Sequence, residues 1–250
     1  KGFLYGVLAT FASTLISSPL YSLGFYTQDP STFWGSFKTA FFGAAIPEES
    51  AKLLMLWLLL RKCKEFDERY DGLVYAAAVG LGFATLENVL YLLSSGFAFF
   101  QTYISRAFLA VPGHFAFAIV MGYYYSKWHF SWDAKERSQA AWKMWAYPVL
   151  LHGIYDTICF ASGLDKVSPF WSFCFTMLLL FFCYKLFKFT RNRIIAEASQ
   201  NATGSSYYSN NRNFYTDSRR EDSRGFFRGR DLFGNDVYYY QNGDDSIDEQ

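Results

Sequence analysis

Residues 72–94 read GLVYAAAVGLGFATLENVLYLLS, an apolar run with a single charged residue, Glu87. A helix that crosses a bilayer needs about 20 mostly apolar residues, so this run predicts a transmembrane span. Other runs of similar length and character occur along the chain. The predicted spans are 2–26, 39–60, 72–94, 107–125, 145–163 and 168–190. The sequence therefore predicts an all-α fold, a polytopic transmembrane helix bundle with about six spans within residues 1–190.

The composition supports lipid as the solvent of this region. Of the 250 residues, 52% are hydrophobic, 22% aromatic and only 18% charged, whereas an ordinary soluble domain has about 25% charged residues. A soluble globular enzyme is therefore excluded. The net charge of +1 argues against a nucleic-acid partner. Residues 191–250 are polar and have too little apolar material for a core, so we predict a disordered tail as a second region.

The distribution of Lys and Arg predicts an orientation in the membrane. Four of these residues lie in 61–71, four lie in 126–144, and others flank the end of the last span, but 95–106 contains only Arg106. Loops rich in Lys and Arg stay in the cytoplasm. We therefore expect a multi-pass protein of the cell membrane with both ends of this chain cytoplasmic. Arg106, at the predicted outer boundary, is interpreted as an interfacial anchor.

Several ionisable residues lie inside the predicted spans, where a charge costs about 2.5–3.5 kcal/mol on insertion scales. Such residues are candidates for function, and four different spans contribute them. The candidates are Glu48, Glu49, Lys52, Glu87, His114, His152 and Asp156. Within one span, residues four apart share a helix face, which applies to the pair Glu48 and Lys52 and to the pair His152 and Asp156.

The depths of these residues agree with one another. At about 1.5 Å per residue, Glu49 lies ~15 Å below the outer end of its span, and Glu87 and His114 lie ~10 Å below theirs. His152 lies at ~17 Å and Asp156 at ~10 Å by the same rise. All five fall between the outer face and the middle of the bilayer, which predicts a single polar site inside the bundle.

Each residue also has a purely structural interpretation. Glu48 and Lys52 can form an ion pair without any catalytic role, and Glu49 can stabilise the start of a helix. Asn88 is best explained as a hydrogen-bond partner between helices. A single buried histidine such as His114 is often only a hydrogen-bonded core residue.

Carboxylates and imidazoles together suit the activation of water. A carboxylate in a low-dielectric site can act as a general base, and an imidazole can donate to the oxyanion of a tetrahedral intermediate. Glu and His also bind divalent metals such as zinc, although the spacing HExxH is absent. Glu87, His114 and His152 are the candidate metal ligands. In a competing version, the histidines only donate hydrogen bonds around a water that Glu48 or Glu49 holds.

The motifs PEESAK (47–52), FATLEN (83–88), GHFAFA (113–118) and HGIYD (152–156) follow one another on successive spans. In this order they resemble the PrsW family of intramembrane proteases, which is related to CAAX-prenyl endopeptidases and bacteriocin-processing enzymes. The resemblance covers about residues 1–190. It implies a membrane endopeptidase that hydrolyses a peptide bond, with a zinc metalloprotease as one version of this activity.

The resemblance also implies roles for individual residues. One of Glu48 and Glu49 would activate the water, and Glu87 and His114 occupy the second and third motifs. His152 and Asp156 would stabilise the oxyanion or orient the substrate. The implied substrates are membrane-anchored regulatory proteins, for example anti-sigma factors.

Two other classes of protein remain open at this point. A transporter or channel could use the same carboxylates and histidines as a path for protons or cations. A membrane scaffold could retain degenerate motifs and recruit partners through its tail.

Overall fold

A computed structural model of the chain describes residues 1–164, 167–216, 226–230, 236–241 and 247–249. The chain divides into two compact units, Lys1–Ala202 and Thr203–Gln250. The described part of the first unit consists of helices and the connections between them, without strands, which confirms the predicted helix bundle. The second unit contains three short strands, β1 (Phe226–Arg230), β2 (Asp236–Gln241) and β3 (Ile247–Glu249), paired antiparallel in that order. The disorder predicted for 191–250 stays a prediction.

Six long helical segments occur in the described residues, one for each predicted span. Two of them are composite and contain a short π-helical stretch, the first π segment (Thr39–Ala45) and the second π segment (Arg106–Ala110). A 3₁₀ turn, Gly96–Ala98, precedes the second composite segment. The α-helices are α1 (Gly2–Ser22), α2 (Phe33–Lys38), α3 (Ile46–Leu60), α4 (Arg69–Ser94), α5 (Phe99–Ser105), α6 (Val111–Phe130), α7 (Ala134–Ser162) and α8 (Pro169–Thr216).

Four of these segments are long and apolar enough to cross a membrane: Gly2–Ser22, Arg69–Ser94, Tyr103–Phe130 and Pro169–Ser199. The other two predicted spans, 39–60 and 145–163, do not meet this criterion. The reason is composition, because the segment that ends in α3 carries Glu48, Glu49 and Lys52, and the second half of α7 has Pro148, His152 and Asp156 among its apolar residues. The protein is a membrane protein whose most polar helices contain most of the candidate residues.

Two predicted boundaries differ from the structure. The hydrophilic connection 126–144 is mostly helical, because α6 runs to Phe130 and Asp133 caps α7 by accepting a hydrogen bond from the Lys135 backbone at 2.9 Å. The last helix also continues past residue 190. There Ile194 packs on a core cluster around Leu73 and Ile119, so the change in composition at residue 191 does not end the helix.

Both π segments stand directly before a proline and a site residue. Pro47 is the second residue of α3 and Pro112 the second residue of α6. A proline lacks the N–H that continues an α-helical ladder, and π-helical turns are frequent at functional sites. The regular α-helical pattern is therefore interrupted just before Glu48 and His114 along the chain.

Glycines allow α1 and α4 to touch through their backbones. A Cβ atom on Gly6 would overlap the carbonyl oxygen of Val79 and the backbone nitrogen of Phe83, and one on Gly82 would overlap the carbonyl oxygen of Phe3. Small residues at helix interfaces permit this approach in membrane proteins. It brings α4, and with it Glu87, close to the centre of the bundle.

We expect Gly6→Ala to destabilise the protein by about 1–3 kcal/mol, the usual range for overpacking. The added methyl group meets backbone atoms, which cannot move without separating α1 from α4. Thermal unfolding in detergent measures the effect, and Gly163→Ala is the matched control, because its nearest neighbour is the Phe160 carbonyl oxygen at 3.7 Å. Equal melting temperatures for the two variants would contradict this account of the packing.

Candidate active site

Four helices bring the predicted site residues together. Helix α3 supplies Glu48, Glu49 and Lys52 from its first two turns, α4 supplies Glu87, α6 supplies His114, and α7 supplies His152 and Asp156. The residues for which the sequence predicts similar depths therefore form a cluster of side chains inside the bundle. These residues lie within one network of ion pairs and hydrogen bonds.

Lys52 lies at the centre of this network and is only 1% exposed. Its Nζ donates to Glu49 Oε1 at 2.8 Å and lies 3.5 Å from Glu48 Oε2. It also lies 3.1 Å from His114 Nδ1 and 4.0 Å from the centroid of the Phe83 ring. Because an ammonium group can only donate, Nδ1 of His114 accepts this hydrogen bond.

The ring of His152 connects the first and fourth motifs. Its Nδ1 lies 2.9 Å from Glu49 Oε1. Its Nε2 lies 3.2 Å from Asp156 Oδ2 and 3.9 Å from Glu48 Oε2. The Phe117 ring stacks on the imidazole with centroids 5.0 Å apart. The ring orientation is therefore fixed by carboxylates on two helices and by an aromatic face.

Arg106 is a site residue that the sequence interpretation missed. Its Nη2 donates to Glu87 Oε2 at 2.7 Å, its Nε donates to Asn88 Oδ1, and its guanidinium lies 3.8 Å from the centroid of Tyr91. The interpretation of Arg106 as an interfacial anchor is therefore wrong. Glu87 Oε2 also lies 2.8 Å from His114 Nε2. Since Nδ1 of His114 accepts from Lys52, Nε2 is the nitrogen that donates to Glu87.

A cavity of about 380 Å³ opens beside the network. Its lining includes carboxylates and imidazoles from all four motifs together with apolar side chains such as Phe117 and Leu179. Glu48 lines the cavity with a side chain that is 13% exposed, whereas Glu49 is fully buried and does not line it. The polar lining residues from the motifs are Glu48, Glu87, His114, His152 and Asp156.

The two neighbouring glutamates, Glu48 and Glu49, thus have different surroundings. Glu49 Oε1 contacts both Lys52 and His152. Oε2 of Glu48 accepts no hydrogen bond from the described residues, and neither does Oε2 of Glu49. A buried polar atom without a protein partner requires a water, an ion or a ligand. Of the two residues, only Glu48 lines the cavity.

A divalent metal fits the donors that are present. One atom each of Glu48, His114 and His152 lies within 4.8 Å of the others, and two histidines with one glutamate form a common catalytic zinc set. The predicted set had Glu87 in place of Glu48. In the structure, Glu87 Oε2 already contacts Arg106 and His114 at 2.7 and 2.8 Å. Glu48 Oε2 has only longer contacts, to Lys52 at 3.5 Å and His152 at 3.9 Å, and no hydrogen bond from the described residues.

Charge balance also favours a cation. Glu48, Glu49, Glu87 and Asp156 are four carboxylates, and the fixed cations paired with them are Lys52 and Arg106. Two negative charges are left for a divalent ion, or for protons on the histidines. Lys52 acts against a metal at the same place, because it lies close to both Glu48 and His114 and repels a second cation.

A covalent serine mechanism has no support at the first motif. Ser50 does not line the cavity, and its hydroxyl accepts a hydrogen bond from the Trp145 indole at 2.9 Å. The chemistry that the cavity can perform is the activation of water by carboxylate and imidazole. The fold and the site together define the class of this protein, a membrane-embedded hydrolase.

Comparisons with known proteins give the family. The model of the family described as PrsW family intramembrane metalloprotease matches residues 1–185. Relatives named "Protease PrsW" include those of Geobacillus kaustophilus, with 40% identity over 68% of this chain and 73% of the relative, and Bacillus subtilis, with 37% identity over 63% and 67%. The relative from Clostridioides difficile is 35% identical over 63% of this chain and 65% of its own. No solved structure is a significant match.

The chain belongs to the PrsW family and is an intramembrane protease. The resemblance found in the four motifs is thereby confirmed, and the transporter or channel is not favoured. As a protease of this family, it acts on membrane-bound substrates.

Proposed function

We propose that Glu48 is the residue that activates water for peptide-bond hydrolysis. The observation that supports this choice is that Glu48 lines the cavity and Glu49 does not. Both glutamates have an Oε2 without a hydrogen-bond partner among the described residues, but only the Glu48 side chain is partly exposed, 13% against 0%. A general base must reach the water from which it removes a proton. Glu49 is the positioning residue that fixes Lys52 and His152.

The histidines complete the site in this proposal. His152 Nε2 lies near both Asp156 and Glu48, so a proton on this nitrogen can be donated to the oxyanion of the tetrahedral intermediate. Asp156 holds that nitrogen in place. Glu87 orients His114, and Arg106 holds Glu87 in place through their ion pair. Phe117 and Leu179 make part of the cavity wall apolar.

The resident metal of the family would be held by Glu48, His114 and His152, with zinc as our proposal. When bound, such an ion lowers the pKa of its bound water and polarises a carbonyl group. Both ring nitrogens of His114 have protein partners, so metal binding requires His114 to exchange its bond to Lys52 or to Glu87. The competing version needs no exchange and keeps Glu48 as the sole activator of the water.

Metal content separates these two versions. We expect purified, active protein to contain about one zinc or similar ion per chain, as an open His₂Glu site does. His114→Ala and His152→Ala should lose the ion and the activity. His129→Ala is the matched control, because that ring packs against Phe66 and Phe130, away from the cavity. Full activity in metal-free protein would contradict the zinc site and support the version in which Glu48 activates the water without a metal.

We further propose that the substrate is a membrane-anchored regulatory protein such as an anti-sigma factor. The support is the family together with a cavity that lies within membrane-type helices. The test is reconstitution of the purified chain in liposomes with a membrane-anchored reporter of this type. Cleavage of the anchored reporter but not of its soluble domain is expected. Transport of protons or cations without any cleavage would contradict the proposal.

The orientation is also a proposal. The excess of Lys and Arg in 61–71 and 126–144 supports a cytoplasmic location for these regions and for both ends of the chain in the cell membrane. A single cysteine at position 135, on a cysteine-free background, should escape maleimide labelling from outside intact cells. Strong labelling at this position would contradict its cytoplasmic location and indicate the opposite orientation.

A further inference from the structure

A second cavity lies between α6, α7 and α8, apart from the residues that form the active site. Its volume is about 420 Å³, and its walls are almost entirely apolar. Helix α6 contributes Tyr124, α7 contributes Tyr147 and Leu150, and α8 contributes Phe182 and Phe189. The rings of Tyr124 and Tyr147 meet edge to face with centroids 5.2 Å apart. We call this cavity the lipid groove.

The single charged residue in the lining is Lys185. Its side chain is exposed, and within the part of the chain that the structure describes it has no carboxylate partner. A lysine in an apolar groove at the depth of a membrane helix requires an anion or a path to the interface. The groove therefore combines an apolar wall with one positive charge that no described carboxylate neutralises.

Further cations surround the same end of the groove. The Arg193 guanidinium lies 5.2 Å from the ring centroid of Phe189, and Lys143 Nζ lies 6.0 Å from that of Tyr124. Neither Asp nor Glu occurs in the sequence from 167 to 196. Glu136, near the start of α7, is already paired with Lys127. The charge at this end is therefore complementary to an anionic group.

On α8 the lining of the groove runs from Phe182 to Phe189, which is about 10 Å at the rise of an α-helix. This length is short for a partner helix that crosses the membrane, since such a helix needs about 20 residues. A hydrocarbon chain is much thinner, and lipid is the solvent around these helices.

We propose that the lipid groove binds one anionic phospholipid. An acyl chain lies along Phe182, Leu150 and Phe189, and the phosphate contacts Lys185, with Arg193 and Lys143 nearby. Basic pockets between membrane helices recognise lipid headgroups in this way. This inference is independent of the proposed catalytic roles, since none of the lining residues of the groove belongs to the four motifs.

The test uses native mass spectrometry of the purified full chain in detergent. The protein is mixed with equal amounts of dioleoyl phosphatidylglycerol and dioleoyl phosphatidylcholine. We expect preferential retention of one phosphatidylglycerol. Lys185→Met should reduce this retention about fivefold, the effect of one cation near a lipid surface. Lys188→Met is the matched control, because Lys188 is exposed on the same helix but does not line the groove.

A second variant tests the apolar part of the site. Leu150→Trp fills the groove and should reduce the retention of both lipids, whereas Leu178→Trp, at a residue that is 49% exposed and outside the lining, should not. Equal retention of the two lipids by the wild type, or equal effects of Lys185→Met and Lys188→Met, would overturn the proposal. Displacement of the lipid by glycerol 3-phosphate would show a phosphate site instead of a lipid site.

Discussion

Glu48→Gln is expected to lower the rate of substrate cleavage by about 10²-fold or more, the usual scale for loss of a general base. The amide keeps the shape of the side chain but cannot take a proton from water. Because Glu48 is at the rim of the network and its Oε2 accepts no hydrogen bond from described residues, folding should change little. Cleavage of a membrane-anchored reporter and the melting temperature in detergent are the two measurements.

Two variants serve as controls for this experiment. Glu65→Gln changes an exposed glutamate in the connection between α3 and α4 and should leave cleavage unchanged. Glu49→Gln should lower the melting temperature more than Glu48→Gln does, because Glu49 is the buried partner of Lys52 and His152. Near-normal cleavage by Glu48→Gln, together with loss of cleavage by a stably folded Glu49→Gln protein, would make Glu49 the base.

Lys52→Met is expected to have the largest effect on stability, on the order of 3–5 kcal/mol, as for other buried ion pairs that lose one partner. Methionine is apolar and similar in length, so the space is filled. The charge is lost, however, and Glu49, which is 0% exposed, is left without its closest cation at 2.8 Å. Thermal unfolding in detergent measures the loss.

The matched control is Lys127→Met. Lys127 pairs with Glu136 at 2.7 Å, but the two side chains are 27% and 35% exposed, and such a pair contributes about 0–1 kcal/mol. Equal stability of Lys52→Met and the wild type would contradict the central role of Lys52. If zinc restores the melting temperature of Lys52→Met and a chelator removes that gain, an ion balances the glutamates in place of the ammonium group.

The clustering of the candidate site residues could be predicted because membrane sequences limit where charges can occur. Glu87, His114 and His152 stand out against apolar surroundings, and the rise of a helix converts their positions into depths that agree. The partners of Arg106 could not be predicted in this way. Its place at the end of a span is typical of an interfacial anchor, and only the approach of α4 to the second π segment brings Glu87 within reach.

The positions of the helices could likewise be predicted from the sequence, but their ends could not. Apolar runs located the six long helical segments, but the connection 126–144 and the stretch after residue 190 are helical in spite of their charge. Hydropathy reports the solvent that a segment prefers, whereas capping by Asp133 and packing of Ile194 decide where these helices begin and end.

By itself, the sequence determined the class of fold, the family, and the helices and depth at which the polar residues lie, since apolar length and the helical rise are local properties. Only the tertiary structure decided which of two adjacent glutamates lines the cavity and which is fully buried between Lys52 and His152. Glu48 and Glu49 are separated by about 100° around their helix. The rotation of α3 against α4, α6 and α7 depends on packing between helices, and that packing made Glu48 the accessible carboxylate.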